Sequence, residues 1–470
     1  MRSLRQHLFV LTILIITLTS TYVEICHARK NTHWRTKDEI ESSFSTKKHK
    51  GKSNGTTHHN HSSKHHPSPK LNPPPPPPPP SGPSPYAPVT PAPPVLHGTT
   101  FNVLDYGAKG NGVTDDTKAF QDTWAAACKI AASTMVVPSN YEFLVGPISF
   151  AGPVCQPNLV FQANGTIVAP LNHKGFTSGL LQWIEFTKLR GITIQGRGIV
   201  EGRGNYWWNI NSDSDDDPSV RFYGSYNVTV TGITIRNSPQ FHLKFDTCQS
   251  VEVHGITISS PGDSPNTDGI HLQNSAGVTI HHSTLACAGD DCVSIQTGCS
   301  NVFIHDVSCG PGHGISIGGL GKDGTMAVVS GINVQNINMT GTQTAARIKT
   351  WQGGSGSVKN VRFSNIQVSE VETPIMIDQY YCNGQSHCAN KSSAVTLSDI
   401  TFQGIVGTYT VQPVYLACSD NTPCTNIHLA DIELQPTDGI NHLYGPFCWN
   451  AFGDIKAPIQ PTITCLKNEK

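Results

Sequence analysis

The fold class the sequence predicts is all-β: a single-stranded parallel β-helix, or solenoid, with one capping helix at its amino-terminal end. Three observations predict it. A phrase of alternating apolar residues recurs from about residue 180 onward, with the copies from Asn227 starting 23, 27, 24, 30, 29, 34 and 32 residues apart; short strands at that period, with no helix between them, are the mark of a β-solenoid. The composition has 43 Gly, 33 Pro and only 14% charged residues, with sparse helix formers, which excludes an all-helical protein. Only one stretch, Thr114 to Cys128, carries apolar residues at helical spacing.

Taken in order, the 470 residues are enough for two average domains or one elongated one with a sizeable core. Arg2 and Arg5 precede an apolar run from Leu8 to about Leu18, followed by small and polar residues ending near Cys26-His27-Ala28. This reads as a secretory signal peptide over residues 1–28. The run is shorter than the roughly 18–20 residues of a membrane span, so no stable membrane association is expected after cleavage.

Residues 29–98 form a second segment. They hold 10 basic and 3 acidic residues, paired histidines (His58-His59, His65-His66) and an unbroken run from Pro73 to Pro80. Such a segment buries too little apolar surface to offset chain entropy, and its Pro run is an extended spacer, so a disordered basic arm is expected. Its histidines read as solvated side chains rather than metal ligands. The remainder, 99–470, has 20 basic and 29 acidic residues; a body at −9 argues against nucleic acid as the main ligand, because phosphate binding is dominated by Lys and Arg.

Within 99–470, Phe101 to Gly107 is strand-like. Thr114 then stands as N-cap of a helix, with Asp115 and Asp116 in its first turn and Ala119, Phe120, Trp124 and Ala127 as its apolar stripe. The helix would cover the open end of the solenoid core. The repeated phrases begin at Asn227, Ser250, Gly277, Asn301, Gly331, Asn360, Ala394 and Asn426. A leucine-rich repeat would show its Leu frame, and a propeller four strands per roughly 40 residues; neither pattern is present.

The 14 cysteines, of which 13 remain after signal cleavage, include the close pairs Cys382/Cys388 and Cys418/Cys424. These suggest small disulfide loops formed in an oxidising compartment, and the odd count leaves at least one free thiol. No CxxC pair supports a zinc site. Sequons at Asn164, Asn227, Asn338 and Asn390 fit a secreted glycoprotein.

In a solenoid, residues one coil apart stack about 4.8 Å from each other. Asn266-Thr267-Asp268 is followed 22 residues later by Gly289-Asp290-Asp291, and Asp291 is followed 22 residues later by His313 in Gly312-His313-Gly314. Three carboxylates and an imidazole therefore share a face. Later coils bring Arg347-Ile348-Lys349 and Tyr381 toward it, and strand alternation points Arg347 and Lys349 the same way. Each piece alone has an ordinary structural reading as a turn or a solvated strand; their coincidence in register does not. Clustered carboxylates raise at least one pKa and belong where acid/base chemistry is done, and the neighbouring cations suit an anionic ligand. Because Asp290 and Asp291 are adjacent, a bulge or turn must rotate one of them.

The four motifs Asn-Thr-Asp, Gly-Asp-Asp, Gly-His-Gly and Arg-Ile-Lys, in this order, resemble the signature of the polygalacturonases, pectin-cleaving glycoside hydrolases. The resemblance covers roughly 99–470 and includes the plant-type wording Phe101-Asn-Val-Leu-Asp-Tyr-Gly-Ala and Cys309-Gly-Pro-Gly-His-Gly-Ile-Ser-Ile-Gly. It implies a right-handed parallel β-helix and hydrolysis of α-1,4 bonds between galacturonates with inversion, with internal cleavage favoured over cleavage from chain ends. It assigns Asp290 as general acid, Asp268 and Asp291 as activators of water, and His313 as the group that tunes the acid. Arg347 and Lys349 would bind the substrate carboxylate, joined by Asn266 and by Tyr381 near the cleaved sugar, although Tyr380 stands where a smaller polar residue is expected. It further implies a secreted, monomeric, cell-wall enzyme acting on pectin without metal or cofactor. Alternatives are a rhamnogalacturonan or xylogalacturonan hydrolase, a calcium-assisted pectate lyase, in which Gly-His-Gly has no role, and a non-catalytic wall polysaccharide-binding protein.

Overall fold

From residue 227 to residue 431, eight successive coils of the solenoid wall are bent at two residues with left-handed backbone, five positions apart. The pairs are Asn227 and Gly232, Ser250 and Gly255, Gly277 and His282, Asn301 and Asp306, Gly331 and Asn336, Asn360 and Asn365, Asp399 and Gly404, and Asn426 and Asp431, with φ between 47° and 76°. Gly, Asn and Asp dominate because they enter this region at least cost. The repeated phrase is thus the distance between two turns, with the apolar residues between them facing inward.

The computed structural model describes residues 98–171, 182–208, 219–382, 391, 393–440 and 442–468; the signal peptide and all but the last residue of the arm lie outside them. The strands form two sheets of twenty and eleven strands, with parallel pairing between successive coils, as in Val228 with Val251 and Val251 with Val278. The fold is a right-handed parallel β-helix. Among the described residues no helix is long and apolar enough to cross a membrane.

One repeat departs from expectation. The copy read as starting at Ala394 starts at Asp399, since Val361 pairs with Ile400, Phe363 with Phe402 and Ile400 with Ile427. The alternation of Val395 and Leu397, which imitates the phrase, belongs to the preceding stretch of wall, where Leu397 pairs with Val358.

The helix also starts later than its N-cap signal suggested. Thr114 ends up in the strand Asn111–Asp115, where its amide donates to Asn111 Oδ1 at 2.9 Å, and helix α1 runs Thr117–Ala127. Asp116 is drawn out of the helix because its carboxylate accepts from the amides of Lys109 and Gly110 at 2.6 and 3.0 Å. Asp115 Oδ1 accepts the Thr117 amide at 2.9 Å, so both acids precede the helix. Its buried face is Ala119, Phe120, Thr123, Trp124 and Ala127. Trp124 packs on Phe150 and Phe186 at 5.0 and 6.2 Å, which covers the open end of the core as expected. Phe101–Gly107 is only partly strand: after Thr100–Asn102, a 3-10 turn is capped by Asn102, whose Oδ1 accepts the Leu104 amide.

Inside the smaller sheet, Phe150, Phe186, Phe222 and Phe245 occupy one position in four successive coils. Their rings stack at 4.9, 5.1 and 5.1 Å. The column continues through Leu272, Ile295 and Ile317.

Disulfides join Cys128–Cys155, Cys292–Cys309, Cys418–Cys424 and Cys448–Cys465. Cys382 is also bridged, while Cys388 lies outside the described residues. Cys248, Cys287 and Cys299 are buried free thiols, more than the one the odd count required. The sequon residues Asn164, Asn227 and Asn338 are exposed, and Asn390 is outside the described residues.

Phe222 is fully buried between two stacked rings, so Phe222→Ala should lower the unfolding free energy by about 3–5 kcal/mol. Urea melts measure this; a loss below about 1 kcal/mol would mean the neighbouring rings close the gap.

Candidate active site

The smaller sheet carries the site on its outer face and on the turns that enter its strands. Three short strands there alternate apolar, polar, apolar: Ile270-His271-Leu272, Val293-Ser294-Ile295 and Ile315-Ser316-Ile317, continued by Ala346-Arg347-Ile348. Their middle residues His271, Ser294, Ser316 and Arg347 are register partners in successive coils. The turns just ahead of the strands hold Asp268, the pair Asp290-Asp291, and His313.

The irregularity expected between Asp290 and Asp291 is a turn. The Asp290 amide donates to Cys287 O at 3.1 Å and its Oδ1 accepts the Asp291 amide at 2.8 Å. Gly289 makes the turn possible, because a Cβ there would lie 1.8 Å from Ser264 O. The two carboxylates consequently part. Asp290, with its side chain 19% exposed, meets His313 Nδ1 at 3.1 Å. Asp291 turns inward, 2% exposed, onto Arg347 Nη2 at 2.5 Å and Lys349 Nζ at 2.9 Å. The Cys292–Cys309 bridge ties the residue after Asp291 to the segment that leads into Gly312-His313-Gly314.

Asp291 Oδ1 also accepts from Ser316 Oγ at 2.7 Å. Arg347 is held in place by Nε to Ser316 Oγ at 2.8 Å and Nη1 to Gln343 Oε1 at 2.8 Å. Arg347 and Lys349 do point the same way, but their first partner is Asp291. Together they leave one positive charge in excess of it.

Asp268 lies against His271 Nδ1 at 3.0 Å, and both accept or share the hydroxyl of Ser294. Phe241 covers His271, with ring centroids 4.0 Å apart. Asn266 is exposed at a left-handed turn, φ 52°, and stands outside this hydrogen-bonded cluster. Tyr381 enters through a bulge, since Lys349 pairs with Asp378 but Trp351 with Tyr381. Its ring lies 5.3 Å from Lys349 Nζ and edge-on to Trp351 at 5.2 Å. Tyr380, the unexpected neighbour, points inward and donates its hydroxyl to Cys418 O at 3.2 Å.

Electrostatics separate the three acids. Burial opposes charge on Asp291, but Lys349 and Arg347 outweigh it and hold the carboxyl far below the usual range. Burial raises Asp268, and the charges of Asp290 and Asp291 raise it further, with Ser294 and Lys349 offsetting only part. Burial also works against charge on Asp290, yet the hydrogen bond and charge of His313 bring it below the usual range. Burial, with Lys244 adding to it, lowers His271 to about 3, so His271 is a neutral partner for Asp268. Of these two acids, the surroundings of Asp268 favour the proton and those of Asp290 favour the charge.

Donor atoms of Asp290, Asp291 and His313 lie within 4.8 Å of one another, which by spacing alone suits a metal ion. The charges do not suit one: Asp291 is already neutralised, and a cation there would face Arg347 and Lys349.

His271, Ser294, Ser316 and Gln343 were not singled out from the sequence. For His271, Ser294 and Ser316 the signal was present, as a polar residue between two apolar ones at nearly the period of the acidic motifs; Gln343, between Thr342 and Thr344, carried none.

The family model described as "Glycosyl hydrolases family 28" matches residues 128–443. A polygalacturonase of Cryptomeria japonica is 42% identical over 350 residues, 72% of this chain and 68% of that protein. Among solved structures, the endo-xylogalacturonan hydrolase of Aspergillus tubingensis superimposes with a TM-score of 0.67 at 22% identity, covering 78% of this chain and 99% of that one. The polygalacturonase of Erwinia carotovora gives 0.60 at 24%, covering 74% and 97%; at these identities the likeness is one of fold. With the family model spanning two thirds of the sequence, this chain belongs to family 28 of the glycosyl hydrolases, the family of the polygalacturonases.

Proposed function

We propose that this chain hydrolyses the α-1,4 bonds between galacturonates in pectin and polygalacturonate, with inversion, through its own acid and base groups. The observation that carries this reading is the division of three adjacent carboxylates. Arg347 and Lys349 lock Asp291 in its ionised form, which leaves Asp268 and Asp290 to share one titrating proton.

Inverting hydrolysis needs a proton on the leaving oxygen and an ionised base that activates water on the opposite face, with the two carboxyls roughly 6.5–9.5 Å apart. Asp290 is the most exposed of the three acids and so the one able to reach a glycosidic oxygen. The productive arrangement has the proton on Asp290 and Asp268 ionised, the reverse of the free site. Substrate that covers Asp290 excludes water from it, which favours its neutral form, and His313, as the partner of Asp290 Oδ1, governs how readily that proton is held. Asp268 then acts as base beside the permanently charged Asp291. The surplus positive charge of Arg347 and Lys349 serves the carboxylate of a bound galacturonate, with Tyr381 against the sugar. Protonation of the leaving oxygen does what a Lewis acid would otherwise do.

The signal-like segment and the disulfides suit secretion, and the basic arm on its Pro spacer suits retention on anionic wall polymer. If so, deleting residues 29–98 weakens retention on de-esterified pectin at low salt, leaves kcat on short oligomers unchanged, and loses its effect at high ionic strength. Equal retention of the two forms at low salt would remove the arm from this role.

Asp290→Asn should lower kcat on polygalacturonate about 10²- to 10⁴-fold while oligomer binding persists. Reducing-end release measures it; more than about a tenth of the original rate excludes Asp290 as the acid. The stereochemistry is read by proton NMR of the first anomer released.

Asp268→Asn tests the proton assignment through stability. A carboxyl raised in the folded state binds more protons there than in the unfolded chain, so its contribution declines as pH rises above the unfolded pKa of about 3.9. Asn mimics the protonated acid, and Asp268→Asn should therefore gain thermal stability relative to the parent as the pH rises above about 4, with no gain below. A difference in Tm independent of pH would place the proton elsewhere.

A further inference from the structure

In the coils that precede Asp268, on the turn that leaves the smaller sheet, lies a cavity of about 680 Å³ that shares no residue with the catalytic cluster. Two ladders line it. Lys188, Gly224 and Thr247 directly follow the register partners Thr187, Tyr223 and Asp246. Arg190, Tyr226 and Gln249 are themselves partners in successive coils of the larger sheet. At the spacing of adjacent strands the groove is roughly 10 Å long.

Its chemistry is one-sided. Lys188 and Arg190 are exposed and make no ion pair among the described residues, and no carboxylate lines the cavity. Asp246, next to Thr247, is held by Arg221 Nη2 at 2.7 Å and accepts the Thr247 hydroxyl at 3.0 Å. Two unpaired cations thus meet in a body whose formal charge is −9. Tyr226 is 55% exposed, and opposite it Gly224 leaves open space: a Cβ there would meet only Lys188 Cγ, at 3.6 Å. Cations at one end, an uncovered aromatic face in the middle and an amide at the other end match a sugar acid: carboxylate, ring and hydroxyls.

We propose that this groove is a second binding site for an acidic saccharide, in which Lys188 and Arg190 take a uronate carboxylate and Tyr226 stacks on a sugar ring. The identity of the saccharide rests on the pectin reading above; the existence of the site does not.

The test counts galacturonate trimers bound to the full chain carrying Asp290→Asn, at about 0.15 M salt, where attraction to the arm is screened beyond roughly 8 Å. Two sites are expected, falling to one with Lys188→Glu/Arg190→Glu and also with Tyr226→Ala, the remaining site keeping its affinity. Galactose trimer, which lacks the carboxylate, should not fill the second site. A single site in the parent, or two sites that survive both substitutions, overturns the proposal. So does loss in the charge variant alone with sulfate displacing the trimer, because that is a simple anion patch. Reducing-end release by the unsubstituted enzyme is scored separately: no release with two sites present defeats the pectin reading and leaves the groove, whereas release with one site defeats the groove alone.

Discussion

Coil-to-coil register is the constraint on which everything else depends. Paired left-handed residues five positions apart bend each coil at the same place, so a residue in one coil lies over its counterpart in the next at the strand spacing of about 4.8 Å. Inward columns such as Phe150, Phe186, Phe222 and Phe245 convert that register into burial. Outward columns such as His271, Ser294, Ser316 and Arg347 convert it into a site. A slip of one residue in any coil would turn both columns over at once, which ties catalysis to the same pairing that holds the core.

Within the site, the buried group of Asp291, Arg347 and Lys349 sets the other charges. Removing Asp291 would leave two buried cations without a counter-charge, a loss of at least about 3–5 kcal/mol, so these three groups hold one another in place before they meet any substrate. The family resemblance makes the two cations ligands of the substrate carboxylate. Their burial shows a second duty: they fix one carboxylate as an anion, and that anion then helps to raise Asp268. Under the mechanism proposed above, the proton that an acid catalyst needs is kept inside the cluster by burial, and the exposed position of Asp290 makes it the carboxyl that would deliver it.

Much of this was legible in the sequence for a specific reason. The left-handed turns demand Gly, Asn or Asp, and the wall strands demand alternation, so both constraints leave a mark at every coil. The acidic motifs and His313 were found because they recur at the same period. Where the reading failed, a local interaction beat a general preference. Asp116 closes the 109–110 turn and delays the helix; Val395 and Leu397 alternate like a repeat without its turn; and the bulge that admits Tyr381 has no marker beyond the odd pair Tyr380-Tyr381. Which of Asp290 and Asp291 turns inward had no marker in composition or spacing and came only with the family resemblance, because it depends on which way a turn rotates two identical side chains.

The charge distribution bears on how an acidic enzyme meets an acidic polymer. At long range a body at −9 repels polygalacturonate, and at physiological ionic strength that repulsion fades beyond roughly 8 Å. What remains is local: one surplus positive charge at Arg347 and Lys349, and two more at Lys188 and Arg190. Both lie on or beside the smaller sheet, several coils apart along the solenoid. A polymer longer than the catalytic cleft can touch both at once, and the second contact then acts at an effective concentration set by the chain between them. A short oligomer cannot. Preference for long chains would then follow from charge placement along the solenoid rather than from the shape of the catalytic cleft.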